Sequence, residues 1–273
     1  MQFGKGFIGV FEALFRGLTN RRRGWLEPAV PDGMVVQVIG DVHGCLDQLE
    51  QMLDEFDQLR PKNAARTLIL LGDLIDRGGQ SRGVVERVIQ LKSEAAARGD
   101  KVVSILGNHE QLMLDFLAEP ERKGGRWIQN GGVNTLRSYG VFVDASIMGA
   151  RLKYCCDEFQ QKFPATHLAL IKGAPLSQLV GDYFFCHAGV DPKVSLERQV
   201  PEVLLWTRNL HLLDTQAIEK FIVHGHSPVK EAVTMVGHIN IDTGAWATGK
   251  LTGLSLVGRT RQIVVTERRK PAQ

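Results

Sequence analysis

Five short apolar runs in this chain each stop at a small residue followed by a side chain able to hold a cation or a phosphate. They end in Gly40-Asp41-Val42-His43-Gly44, Gly72-Asp73-Leu74-Ile75-Asp76-Arg77-Gly78, Gly107-Asn108-His109-Glu110, His187-Ala188-Gly189 and His224-Gly225-His226-Ser227-Pro228. The first three runs, at 35–39, 67–71 and 102–106, alternate with helical patterns at 46–59, at 81–97 and behind Asn108. Three such alternations predict parallel βαβ units, whose carboxyl strand ends open on one crevice. Residues far apart in sequence then meet there. Each piece taken singly is an ordinary turn or helix cap; five of them in register are not.

The rest of the chain is read around that crevice. A breaker cluster at Pro28, Pro31, Asp32 and Gly33 separates an N-terminal extension, 1–32, from one catalytic domain, 33–273. Residues 120–180 read as a helical excursion with turns, placed to cap the site. The C-terminal runs at 232–236, 238–241, 251–257 and 262–266 read as antiparallel β. In the extension, Phe7, Ile8, Phe11, Leu14, Phe15 and Leu18 recur at helical spacing and precede Arg21, Arg22 and Arg23. Residues 3–23 thus form a basic amphipathic segment, suited to packing on its own domain or to weak contact with an anionic membrane surface.

Composition narrows the class. The 33 basic and 30 acidic residues leave a formal charge of +3, too small for nucleic-acid binding by bulk electrostatics. The arginine triplet and the cluster Arg268, Arg269 and Lys270 are expected as solvated tail charge. Cys45, Cys155, Cys156 and Cys186 form no metal-binding spacing and are expected as free thiols in a reducing, cytoplasmic compartment. No apolar stretch reaches the ~18–20 residues of a spanning helix.

Carboxylate, imidazole and amide ligands together suit Mn²⁺, Fe or Zn²⁺ better than Ca²⁺. Two such ions, bridged by a shared carboxylate, clamp a phosphoryl group and lower the pKa of water. The five motifs, in this order, resemble the phosphoprotein phosphatase branch of the calcineurin-like metallophosphoesterases, over roughly residues 35–258. That resemblance implies an α/β fold: a β-sandwich of two mixed sheets flanked by helices, with a dinuclear centre of two divalent ions, Mn²⁺ by preference, at the strand ends. Carried over by position, Asp41 and His43 would hold the first metal and Asp73 would bridge. Asn108, His187 and His226 would hold the second, with His224 nearby in support. Pro228 stands where wider superfamily members place a further ligating His, so the first metal would lean more on water. His109 would be the general acid and Asp76 its orienting partner. Arg77, and Arg208 in Leu204-Leu205-Trp206-Thr207-Arg208, would contact phosphate; the alternative for Arg208 is an ordinary surface arginine beside a core tryptophan.

The resemblance further implies a serine/threonine protein phosphatase acting on phosphoproteins or phosphopeptides, with metal-bound hydroxide attacking phosphorus in line and no phosphoenzyme. Asp76-Arg77 and Glu110 favour that branch. Symmetrical hydrolases of diadenosine tetraphosphate carry nearly the same motifs and are the alternative. A catalytically silent scaffold is the reading from another class; the retention of Asp41, His43, Asp73, Asn108, His109, His187 and His226 argues against it.

Overall fold

The computed structural model describes residues 27–144, 146–208 and 218–268. The amphipathic segment expected at 3–23, and with it Arg269 and Lys270, lies outside the described residues.

Two five-stranded mixed sheets stack on one another. The first runs β10-β9-β1-β2-β3, from β1 (Met34–Ile39), β2 (Ala65–Leu70), β3 (Lys101–Ser104), β9 (Lys250–Val257) and β10 (Thr260–Glu267). The second runs β4-β5-β6-β8-β7, from β4 (Ser177–Val180), β5 (Tyr183–Cys186), β6 (Phe221–His224), β7 (Val233–Met235) and β8 (His238–Asn240). As the βαβ alternation predicts, β1, β2 and β3 pair in parallel, through helices α1 (Leu46–Gln58) and α2 (Ser81–Arg98). The C-terminal strands depart from the purely antiparallel expectation, because β8 inserts between β6 and β7. It runs parallel to β6 and antiparallel to β7, which carries the chain after β8 to the same rim as the chain after β6.

Period-two alternation places the core. Val36 and Val38 of β1 and Tyr183 and Phe185 of β5 point into the sandwich, with Ile69, Val223, Ile239 and Leu254. The neighbours Phe184 and Cys186 face outward, against Leu204 of α8 (Pro201–Trp206). Helix α1 buries Leu49, Met52, Leu53 and Phe56, one stripe at helical spacing, in a second core on the other face of the first sheet. That core also takes in the excursion: α3 (Asn108–Ala118), α4 (Pro120–Trp127), a π-turn at Ile128–Gly132, α5 (Val133–Ser138), α6 (Ala150–Lys162) and α7 (Ala165–Lys172). Residues just ahead of β1 lie on the same domain, for Val30 is in the sandwich core and Tyr183 donates its hydroxyl to the Pro28 carbonyl. All four cysteines are buried and free. No helix among the described residues is long and apolar enough to cross a membrane.

Candidate metal and phosphate site

The carboxyl ends of β1, β2, β3, β5 and β6 bring the five motifs to one rim. Asp41, His43, Asp73, Asp76, Asn108, His109, His187 and His226 are each 5% exposed or less. The backbone bends hard to achieve this. Among the described residues, six non-glycine residues have positive φ, and five of them are His43, Asp73, Asp76, Arg77 and His226. Such backbone is uncommon outside glycine and persists where its surroundings hold it in place. Two glycines permit the close approach. A Cβ on Gly107 would run into the amide and carboxylate of Asp73, and one on Gly225 into the carboxylate of Asp41.

The imidazoles are oriented from behind. His43 Nδ1 lies 2.8 Å from the Ile75 carbonyl and His187 Nδ1 lies 2.9 Å from the Leu71 carbonyl, so each ring donates there and turns a bare Nε2 forward. Those nitrogens face Asp73, at 3.4 Å from its Oδ2 and 3.4 Å from its Oδ1 respectively. His187 Nε2 also lies 2.8 Å from Asn108 Oδ1, as does His226 Nδ1, while the buried His226 Nε2 has no partner. Asp41 accepts the His226 backbone N–H at 3.1 Å. Lone pairs therefore confront lone pairs across a few ångströms, around buried carboxylates. A cation among them relieves this, since a buried charge is tolerated only when compensated. The donor atoms of His43, Asp73 and His109, and those of Asp73, His187 and His226, each lie close enough together to share an ion, with Asp73 common to both groups. The residues fit a pair of divalent cations.

Burial favours the neutral form of three of these rings. It lowers His43 and His226 to about 3 and lowers His187 as well. Asp41 is raised, first by burial and then by Asp242 and Asp73. His109 differs: burial opposes its charge, yet Asp73 and then Asp76 outweigh that and raise it above the usual imidazole value. Its Nδ1 lies 2.6 Å from Asp76 Oδ2.

Two supports appear only in the folded chain. The excursion holds Asp76, through Trp127 Nε1 at 2.9 Å and Thr135 Oγ1 at 2.6 Å. Glu110 accepts the backbone N–H groups of Asp73, Leu74, Ile75 and Gly107 at 2.8–3.2 Å, tying the β2 end to the β3 end. Asp242, after β8 and outside the five motifs, is buried beside Asp41.

Arginines line the mouth. Arg77 sets Nη1 3.0 Å from His43 Nε2 and Nη2 3.0 Å from His109 Nε2, with its guanidinium over the half-exposed Trp246 of α9 (Ala245–Thr248). Arg208 is exposed, and its charge is a lesser influence on two groups that burial shifts most: it adds to the lowering of His226 and opposes the rise of Asp242 to about 6. Trp206 packs at the edge of the helical core. It is half-buried, 6.1 Å from the His226 ring between centroids, and Arg126 of α4 lies 4.2 Å over it. His224 makes a 3.1 Å contact with His238 behind the site.

Comparison with known proteins agrees with this geometry. The family profile described as calcineurin-like phosphoesterase matches residues 34–247. A Bacillus velezensis protein named bis(5'-nucleosyl)-tetraphosphatase PrpE, asymmetrical, is 27% identical over 81% of this chain and 88% of its own. Among solved structures, one of a candidate diadenosine tetraphosphatase has TM-score 0.59 at 19% identity, over 85% of this chain and 94% of that one. A protein serine/threonine phosphatase from Saccharomyces cerevisiae has TM-score 0.56 at 16% identity, over 88% and 82%. At those identities the two structures speak for the fold.

Proposed function

Because the chain belongs to the calcineurin-like phosphoesterases, we propose that it is a metal-dependent hydrolase of dinucleoside tetraphosphates. The observation that carries this is the number of guanidinium groups around one buried cluster. Arg77 touches its imidazoles, Arg208 acts on His226 and Asp242, and Arg126 lies over the tryptophan beside His226. Guanidinium forks suit phosphate oxygens, and a tetraphosphate chain presents more such oxygens than a single phosphate monoester does. The name of the Bacillus velezensis relative supports the same substrate class, in its asymmetrical form rather than the symmetrical form that stands as the alternative in the sequence.

In this reading Asp41, His43 and Asp73 would hold one divalent ion, and Asp73, Asn108, His187 and His226 would hold the other. When bound, such a pair neutralises phosphoryl charge and supplies an acidic water at neutral pH. Mn²⁺ is the favoured ion, with Fe and Zn²⁺ also suited to these ligands. The chain's own side chains do the rest. Arg77 donates to non-bridging phosphate oxygens, and His109 delivers a proton to the departing oxygen while Asp76, fixed by Trp127 and Thr135, keeps its ring aimed.

One feature favours a second reading, the serine/threonine protein phosphatase. A built acid such as His109–Asp76 contributes most where the leaving group is a basic alkoxide. Turnover of diadenosine tetraphosphate and of a phosphoserine peptide by the Mn²⁺-loaded protein separates the two. Faster cleavage of the dinucleotide is expected, and predominant release of phosphate from the peptide would install the second reading instead.

A further inference from the structure

We propose that Trp206 and Arg126 form a nucleobase clamp that sets the α-phosphorus of a nucleotide at the metal-type cluster, an inference that rests on the dinucleotide reading above. Trp206 is the last residue of α8, a helix held firmly at the site. Leu204 and Leu205 are buried, and the Leu204 carbonyl accepts the Ala188 N–H at 2.8 Å, next to His187. The indole stands nearly perpendicular to the His226 ring, at 83° and 6.1 Å between centroids. It remains half-buried, so part of its surface is open to a ligand.

Arg126 is exposed on α4, has no carboxylate partner among the described residues, and lies 4.2 Å over the indole. As a purely structural contact at an exposed site it gives little return for leaving a cation without a carboxylate partner beside a cationic mouth. A half-buried flat ring with an exposed guanidinium over it is instead a socket for another flat ring. The base stacks on the indole, and the guanidinium closes on the base or on a phosphate.

The spacing selects the bond cut. His226 adjoins Trp206, so a base on the indole leaves about one ribose between itself and the cluster, which puts the first phosphorus there. Water oxygen then bonds to that α-phosphorus, and the bond from it to the α–β bridging oxygen breaks. That oxygen leaves with the electron pair on the nucleoside triphosphate, while the water's protons pass to the leaving phosphate and to solvent. The products are a nucleoside monophosphate and a nucleoside triphosphate.

The test uses the full-length Mn²⁺-loaded protein, with inhibition of p-nitrophenyl phosphate hydrolysis by AMP and by ribose 5-phosphate as its readout. Wild type is expected to prefer AMP. Trp206→Leu should shrink that preference roughly 5- to 100-fold, the range for one lost base–aromatic stack, and the exposed Arg126→Ala, which poses no folding question, should shrink it several-fold. Hydrolysis of diadenosine tetraphosphate in ¹⁸O-water should label AMP. Equal inhibition by AMP and ribose 5-phosphate in wild type, an AMP preference intact in both variants, or label in the triphosphate each overturns the clamp. An AMP preference that collapses in the variants, alongside no dinucleotide cleavage, keeps the clamp and removes the tetraphosphate reading. Dinucleotide cleavage without any AMP preference does the reverse.

Discussion

His109 sits between two carboxylates with different duties. Asp73 faces its Nε2 at 3.9 Å and belongs to the cation cluster, while Asp76 grips its Nδ1 at 2.6 Å and belongs to the helical excursion. Burial works against the charged ring, and the two carboxylates raise its pKa nonetheless. The sign of a pH effect follows. A proton donor with a raised pKa is loaded below that value, and its contribution fades as pH rises through it. Asp76→Asn removes one of the raising contributions, so the alkaline limb of kcat is expected to move to lower pH, as a pH profile on a phosphoserine substrate would record. His109→Asn should cost about 10²–10⁴-fold on that alkyl ester, and less on a tetraphosphate, whose departing phosphate is far less basic than an alkoxide. Equal losses on both substrates would remove the acid role.

At the scale of elements, the site depends on how strand ends are stapled to one another. Asp100, between α2 and β3, shows how this is done away from the chemistry. Arg60, just past α1, donates to it at 2.6 and 2.8 Å, and the Arg66 backbone N–H of β2 donates at 3.1 Å. Burial would raise this carboxyl, but Arg60 and the Arg66 amide pull it below the ordinary 3.8. Its stabilisation is therefore complete above pH 3.8 and lost as pH falls through the lower folded value. Asp100→Asn should cost about 2 kcal/mol at pH 7, with the gap to wild type narrowing below pH 3.8 in urea titrations. A gap independent of pH would contradict this account.

The same scale explains what could be read from the sequence. The strand-end motifs were legible because the chemistry fixes both residue type and spacing where a buried strand must turn, as at Gly107, whose Cβ would strike Asp73. The first three parallel strands followed from their apolar runs. Trp127 and Thr135 were not legible as partners of Asp76, for they arrive on α4 and α5, joined through a π-turn in which Gly131 has φ 103° and which has no helical periodicity to read. Glu110 was visible as a motif letter, but its work on four backbone amides exists only once β2 and β3 lie side by side. Asp242 lies beyond the five strand-end motifs, and only the parallel pairing of β8 with β6 carries it to the rim.

Across the whole molecule, two sheets and their helices deliver bare imidazole nitrogens, an amide oxygen and carboxylates to one small volume, at the expense of positive φ at five side-chain-bearing residues. Such a volume is costly to fold unless it takes up cations. Isothermal titration of Mn²⁺ into metal-stripped protein tests this most directly, beside the same titration of Asp73→Asn, which removes charge from the carboxylate shared by both ligand groups. Two ions per wild-type chain, with at least one lost in the variant, is the result expected. A wild-type chain that binds no Mn²⁺, or a variant that still binds two ions as tightly, would contradict the account.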